Sequence, residues 1–278
     1  MMELFHEVSE YCSRHTTERY STSFSSAIRL LQPELRQPIY NIYGLVRFAD
    51  EIVDTFHDYD KAILIEEFRK QTFDAIERGV SINPILHSFQ LTVNKYKIDP
   101  ELIHAFFNSM EMDLNKKQYC NEGYIDYIYG SAEVVGLMCL YIFINGDRSK
   151  YEDLKPAAQA LGAAFQKVNF LRDLKADYHH LDRTYFPNLD FNHFTLSQKR
   201  EIEADIQQDF DRAYEGILRL PVHARFGVYV AYKYYLSLFK KIKKTQPAKI
   251  MHERIRIPNH HKLMIVLRAG LRSQLNLM

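Results

Sequence analysis

Apolar residues recur at steps of three and four along almost the whole chain, the pattern of helices that each bury one face. The spacing predicts helices over about 3–15, 20–31, 35–55, 60–78, 83–95, 99–115, 122–144, 151–178, 197–218, 222–244 and 260–273. The nine prolines fall mainly between periodic segments, and Asp99-Pro100 reads as an N-cap followed by proline at the first helical position. No strand-like alternation recurs, no G-x-G-x-x-G opens a helix, and no internal repeat, linker or break in composition divides the chain. The expectation is one all-α domain over residues 1–278. The irregular segment 179–196, HHLDRTYFPNLDFNHFTL, is the longest unpatterned stretch and a candidate lid.

Two of these helices carry a polar signal where a core helix would be apolar. In RFADEIVDTF, Asp50 and Asp54 stand four apart; in LRDLKAD, Asp173 and Asp177 repeat the spacing. Each pair sits on one helix face, one turn apart, where like charges destabilise the helix. A lone pair of this kind is most often a solvated face. Here the face of Asp173 continues back through Asn169 or Phe170, then Gln166 and Gly162, while Arg47 lies one turn before Asp50 and Arg172 adjoins Asp173. Paired carboxylates beside arginines suit a divalent cation shared with phosphate oxygens: Mg²⁺ takes oxygen ligands, often only one or two carboxylates, and completes its shell from water and phosphate. Two pairs far apart in sequence predict two facing helices that clamp a diphosphate.

Composition narrows the partners. With 36 basic and 35 acidic residues the net charge is +1, which gives no electrostatic case for nucleic acid. Cys12, Cys120 and Cys139 show neither metal-ligand spacing nor a disulfide framework, and a reduced, cytoplasmic setting is expected. The N-terminus does not read as a signal peptide, and the longest apolar runs, Val134–Ile144 and Leu263–Leu267, fall short of a membrane span. Nineteen tyrosines and eighteen phenylalanines could supply an ordinary core or an aromatic cavity suited to a carbocation.

These residues resemble the signatures of the squalene/phytoene synthase family, the head-to-head prenyl transferases. The second family signature is met by Leu161-Gly162, Gln166, Asn169, Arg172-Asp173, Asp177, Arg183, Tyr185 and Pro187. The first is met by Tyr127 through Gly136, departing at Glu133, where the family carries a small residue. Asp50-Glu51-x-x-Asp54 resembles the family's Asp-Asp-x-x-Asp, and Tyr20-Ser21-Thr22-Ser23-Phe24 its N-terminal Ser-x-Ser-Phe.

The resemblance, running from about residue 20 to about 260, implies an all-α isoprenoid-synthase bundle around a central cavity. It implies Mg²⁺, with Mn²⁺ as an alternative, on Asp50, Asp54, Asp173 and Asp177. It places Ser21, Ser23, Arg47, Gln166, Asn169, Arg172, Arg183 and Tyr185 on substrate and makes Tyr127 the proton acceptor. Because a phenol is a feeble base, Tyr127 needs an assisting partner. Compact length and the intact Arg-x-Tyr-x-Pro resemble bacterial phytoene synthases most, which implies condensation of two geranylgeranyl diphosphates to phytoene. The alternatives are a homologue using farnesyl diphosphate to make dehydrosqualene, squalene or hydroxysqualene, and a non-catalytic assembly factor, which would have little reason to keep both carboxylate pairs. Val134, Leu137, Met138 and Tyr141, on one helix face, are expected to form part of the cavity wall. Transient contact with the inner membrane face is expected, with Lys240-Lys241-Ile242-Lys243-Lys244 as the candidate patch. The oligomeric state is not readable.

Overall fold

The computed structural model describes residues 2–115, 119–181, 183–187, 189 and 194–274. Among them the regular structure is helical throughout: α1 (Met2–Tyr20), α2 (Thr22–Ile28), α3 (Pro33–Asp54), α4 (Lys61–Arg78), α5 (Pro84–Tyr96), α6 (Pro100–Asn115), α7 (Asn121–Ile128), a π-helical turn (Tyr129–Glu133), α8 (Val134–Phe143), α9 (Arg148–Leu181), α10 (Leu196–Arg219), α11 (Val222–Lys243), α12 (Pro247–Ile250) and α13 (Asn259–Gln274). Local chemistry sets many boundaries. Ser21, in extended backbone, caps α2 by accepting from the Phe24 amide at 3.3 Å. Asn83 caps α5 with Pro84 at its first position, and Thr195 and Gln198 form a reciprocal capping box on α10. Helix α4 ends at Gly79, whose φ of +68° is the left-handed conformation that glycine adopts without strain.

The long α9 is the axis, packed on α10, on α8 with the π turn, and on α11; α3 packs on α1, α5, α8, α6 and α4. One apolar cluster runs through the bundle from Ile28 to Ala269, with Phe89, Phe106, Phe107, Phe210 and Phe239 wholly buried. Each such side chain contributes roughly 1.5–3 kcal/mol by leaving water. Helix α1 is inverted: Ser9, Ser13 and Thr17 face inward, Ser13 so near α3 that a Cβ on Gly44 would fall 2.6 Å from its Oγ. Leu4, Val8 and Tyr11 are left outside.

Three sequence expectations change. The helix expected over 3–15 runs on to Tyr20, and the one expected over 20–31 shortens to Thr22–Ile28, because the Ser21 cap sets the break between them. The helix expected over 122–144 is interrupted by the π turn. Helix α9 begins at Arg148 and continues to Leu181, shortening the expected lid. Positions 182, 188 and 190–193 of that segment lie outside the described residues. The stretch Asn121–Phe143 is long and apolar enough to cross a membrane by length and composition, but half of it is buried inside this bundle, as a core helix is.

Candidate active site

A cavity of about 510 Å³ opens between α2, α3, α8, α9, α10 and α11. One end is polar, with Ser21, Arg47, Asp50, Gln166, Asn169, Arg172 and Arg254 in its lining. The other is apolar, walled by Leu31, Phe143, Leu154, Ile217, Leu220 and Val228. Its floor is tight: a Cβ on Gly216 would fall 2.2 Å from Ala157 Cβ, so only glycine lets α9 and α10 close there.

At the polar end α3 and α9 bring the two acidic pairs together. The Asp50 side chain keeps a third of its surface accessible, yet it lines the cavity and is enclosed by protein. That burial, reinforced by the Asp54 charge, pushes its carboxyl up to about 8. Burial, with Asp173 and then Asp54 across the cleft, likewise raises Asp177 to about 8. The pairs therefore feel one another, as facing helices require. The arginines stand among them: Arg47 pairs with Glu51 and lies 3.8 Å from Asp50, Arg172 Nε donates to Asp173 at 3.0 Å, and Arg254 Nε lies 2.7 Å from Asp173. Glu51, second in its motif, thus serves as the partner of Arg47.

The donors suit a hard cation: they are carboxylate oxygens with the Asn169 Oδ1, which is buried without a hydrogen-bond partner. Among the described residues no three His, Cys, Asp or Glu side chains converge tightly enough to hold a metal alone. Ions at this site would draw further ligands from phosphate and water. Gln166 Nε2 donates to Ser131 Oγ at 3.3 Å, which fixes the turn of α9 facing the cavity.

A second cluster lies against the acidic one. Tyr127 lines the cavity, is almost fully buried, and donates to Asp113 Oδ2 at 2.7 Å. Tyr119 donates to Asp113 Oδ1 at 3.1 Å. Arg183 donates to Asp54 Oδ1 at 2.7 Å, to the Tyr185 hydroxyl and the Val53 carbonyl at 3.3 Å, and lies 3.7 Å from Asp113. Burial raises Asp113 to about 6, against the Arg183 charge and the Tyr127 hydrogen bond that lower it. Burial and then the Asp113 charge push the Tyr127 phenol well above its ordinary value. The rings of Tyr127, Tyr185 and Phe170 stack, Phe170 on Tyr185 at 4.1 Å.

Of the residues singled out in sequence, Ser21, Arg47, Asp50, Tyr127, Gln166, Asn169 and Arg172 line the cavity. Asp173 joins them through Arg172 and Arg254, and Asp177 through the electrostatic coupling above. Asp54, Arg183 and Tyr185 join through Asp113 and Tyr127, and Arg183 and Tyr185 are buried, not spread over a surface loop. Ser23, half-buried inside α2, is not in the lining. The wall expected from Val134, Leu137, Met138 and Tyr141 is incorrect: the first three are fully buried in the core, and α8 lines the cavity with Val135, Gly136, Cys139, Leu140 and Phe143. Helix α8 is apolar on every side, so periodicity cannot choose its cavity face. Tyr127, Ser131, Val135, Cys139 and Phe143 all line the cavity at steps of four. The π turn, wider than an α turn, keeps that row from drifting off the face. Asp113 and Arg254 are the residues that sequence reading missed.

A sequence model of the squalene/phytoene synthase family matches residues 17–261. The 4,4'-diapophytoene synthase of Staphylococcus haemolyticus is 27% identical over 75% of this chain and 72% of its own. The phytoene synthase of Arthrospira platensis is 25% identical over 95% of this chain and 93% of its own. Phytoene synthase 1 of Solanum lycopersicum is 29% identical over 86% of this chain, which spans 61% of that longer protein. A dehydrosqualene synthase crystal structure superposes with a TM-score of 0.82 at 18% identity, covering 97% of this chain and 98% of that one. A squalene synthase from Alicyclobacillus acidocaldarius does so at 0.73 and 20%, covering 86% and 94%.

Proposed function

Because the chain belongs to the squalene/phytoene synthase family, a family of prenyltransferase enzymes, we propose that it condenses two geranylgeranyl diphosphates head to head into phytoene, through a cyclopropyl (prephytoene) diphosphate, in carotenoid biosynthesis. The observation that carries this reading is a cavity with an apolar end for isoprenoid tails and, at the other end, two facing carboxylate pairs among three arginines. The tail length rests on the full-length overlap with the Arthrospira platensis enzyme and on the small lining residues Ala27, Ala158, Gly162, Ala213 and Ala231, which leave room for a long chain. The Staphylococcus haemolyticus relative favours a second reading in which two farnesyl diphosphates give a C30 product. The reading places the reaction in the cytoplasm, with passing contact at the inner membrane face, since tails and product are water-insoluble.

In this reading Asp50, Asp54, Asp173 and Asp177, with Asn169, hold divalent metal, Mg²⁺ or Mn²⁺, which supplies the positive charge that makes diphosphate a leaving group. Arg47, Arg172 and Arg254 exchange carboxylate partners for phosphate oxygens, and Ser21, the lining serine that caps α2, supplies a hydroxyl. Gln166 orients the diphosphate, while Arg183 and Tyr185 close the space between Asp54 and Tyr127. Preorganised charge of this kind usually contributes more to catalysis than any other effect. Tyr127 alone is too weak a base, but it need only relay. Its oxygen takes the proton lost on cyclopropane closure as its own passes to the Asp113 Oδ2, 2.7 Å away.

The test is the hydrocarbon formed by purified protein from geranylgeranyl diphosphate with Mg²⁺. A C40 product is expected, and none from Asp54→Asn or Asp173→Asn. No hydrocarbon from either C20 or C15 diphosphate would refute the reading.

A further inference from the structure

Helix α13 has an unusual outer face. Its inner face, with Ala269 buried and Ile265, Val266 and Gly270 half-buried, packs on α11, and the Arg272 Nη1 reaches the Tyr229 hydroxyl at 3.4 Å. Leu263, Met264, Leu267 and Leu271 are 61%, 45%, 54% and 61% exposed. At 100° per residue they fill an arc of about 100° pointing away from the protein. Next to that arc lie Arg268, His261 and Arg272, all exposed. From Arg254 to Gln274 the chain carries five Lys or Arg, two His and no acid, within a protein of net charge +1. More positive charge adjoins the start of the helix. The Arg272–Tyr229 contact sets α13 antiparallel to α11, so its first turn lies toward the α11 C-terminus with exposed Lys240, Lys241, Lys243 and Lys244; Lys241 Nζ bonds the Arg256 carbonyl at 2.7 Å.

An outward apolar arc flanked by cations alone matches the chemistry of a bilayer surface: side chains enter the acyl boundary while the bases meet anionic headgroups. Charge decides against the other exposed stripe. Leu4, Val8 and Tyr11 of α1 are comparably bare, but Glu3, Glu7 and Glu10 flank them, and anionic lipid would repel that face. We propose that α13 is a membrane-docking helix, laying Leu263, Met264, Leu267 and Leu271 on a bilayer that contains anionic lipid, with the α11 lysines as its electrostatic margin. Docking there sets the membrane one helix away from Val228, Ala231 and Tyr235, which α11 contributes to the cavity lining.

Flotation of the full chain with phosphatidylcholine vesicles, with and without phosphatidylglycerol, tests this. The protein should float with the anionic vesicles and stay below with the neutral ones, and added salt should weaken binding. Leu267→Glu/Leu271→Glu should lower the bound fraction about ten-fold or more, and Arg268→Gln by a few-fold. Leu4→Ser/Val8→Ser, on the acid-flanked stripe, should bind as the parent does. All these side chains are exposed, so thermal unfolding should be unchanged and a loss of binding is not a loss of fold. The proposal is overturned if the parent floats with neither vesicle or equally with both. It is also overturned if the α13 variants bind like the parent, or if they instead abolish a dimer seen without lipid, which would assign the face to a second copy of the chain.

Discussion

Replacing Asp113 separates its structural from its chemical role. It accepts from Tyr127 at 2.7 Å and Tyr119 at 3.1 Å and helps balance the buried Arg183. Asp113→Ala strips Tyr127 and Tyr119 of their acceptor, at about 1–3 kcal/mol each, removes the longer 3.5 Å contact from Tyr185, and leaves Arg183 to Asp54, the Tyr185 hydroxyl and the Val53 carbonyl. A loss of about 3–5 kcal/mol is expected, a large share of a typical 5–15 kcal/mol. Asp113→Asn keeps the volume and one carbonyl oxygen for Tyr127, so its cost should be about 1–2 kcal/mol, a melting shift of a few degrees. An amide, however, cannot take the relayed proton. Product formation by the asparagine variant should fall about 10²–10⁴-fold with little change in KM. The parent's kcat should rise with pH through about 6 as the Asp113 carboxyl ionises, and the variant should lack that limb. Steady-state rates across pH, paired with melting curves, distinguish the outcomes. An asparagine variant within about three-fold of parent turnover, with the limb intact, would refute the relay.

Other consequences are as direct. Tyr127→Phe should still release diphosphate slowly while making little cyclopropyl or final product; full product formation would remove Tyr127 from the chemistry. Asp54→Ala and Asp173→Ala should abolish turnover with the fold retained, Asp173→Ala leaving Arg172 and Arg254 to be screened by solvent; near-normal rates would contradict the diphosphate clamp. Asp50 and Asp177, at about 8 when folded against an ordinary 3.8, hold protons that the unfolded chain has released between those values. Their contribution to stability therefore falls as pH rises through that window, and melting scans from about pH 5 to about pH 8 should show the decline, blunted by Mg²⁺ with diphosphate. Val135→Phe or Cys139→Phe, in the cavity wall, should lower C20 turnover more than C15 turnover, whereas Val134→Phe, in the core, should cost about 1–3 kcal/mol of stability with no change in that ratio.

The acidic pairs were legible because helical spacing fixes which residues share a face, and Arg47 and Arg172 followed from the same geometry. Tyr127 was legible only through the family signature. Asp113 was not legible: in SMEMDLN it looks like a solvated helix end, and its burial comes from Tyr119, Tyr127, Tyr185 and Arg183, which arrive from other segments. Arg254 stands in an irregular stretch, and only tertiary packing carries it to Asp173. The cavity face of α8 was hidden because all its sides are apolar, and the π turn beside it has no sequence mark. Glu133, the departure from the family pattern, has a plain account: it accepts from Gln159 Nε2 at 2.8 Å on the flank of α9 away from the carboxylate clamp.

The central claim is head-to-head coupling of two C20 diphosphates, and product analysis under competition tests it most directly. Purified protein with Mg²⁺ and equal geranylgeranyl and farnesyl diphosphate should yield, by mass spectrometry of the extracted hydrocarbon, mainly phytoene with its central 1–1′ linkage. A C30 hydrocarbon alone would contradict the assigned length, and no hydrocarbon from either substrate would contradict prenyl transfer itself.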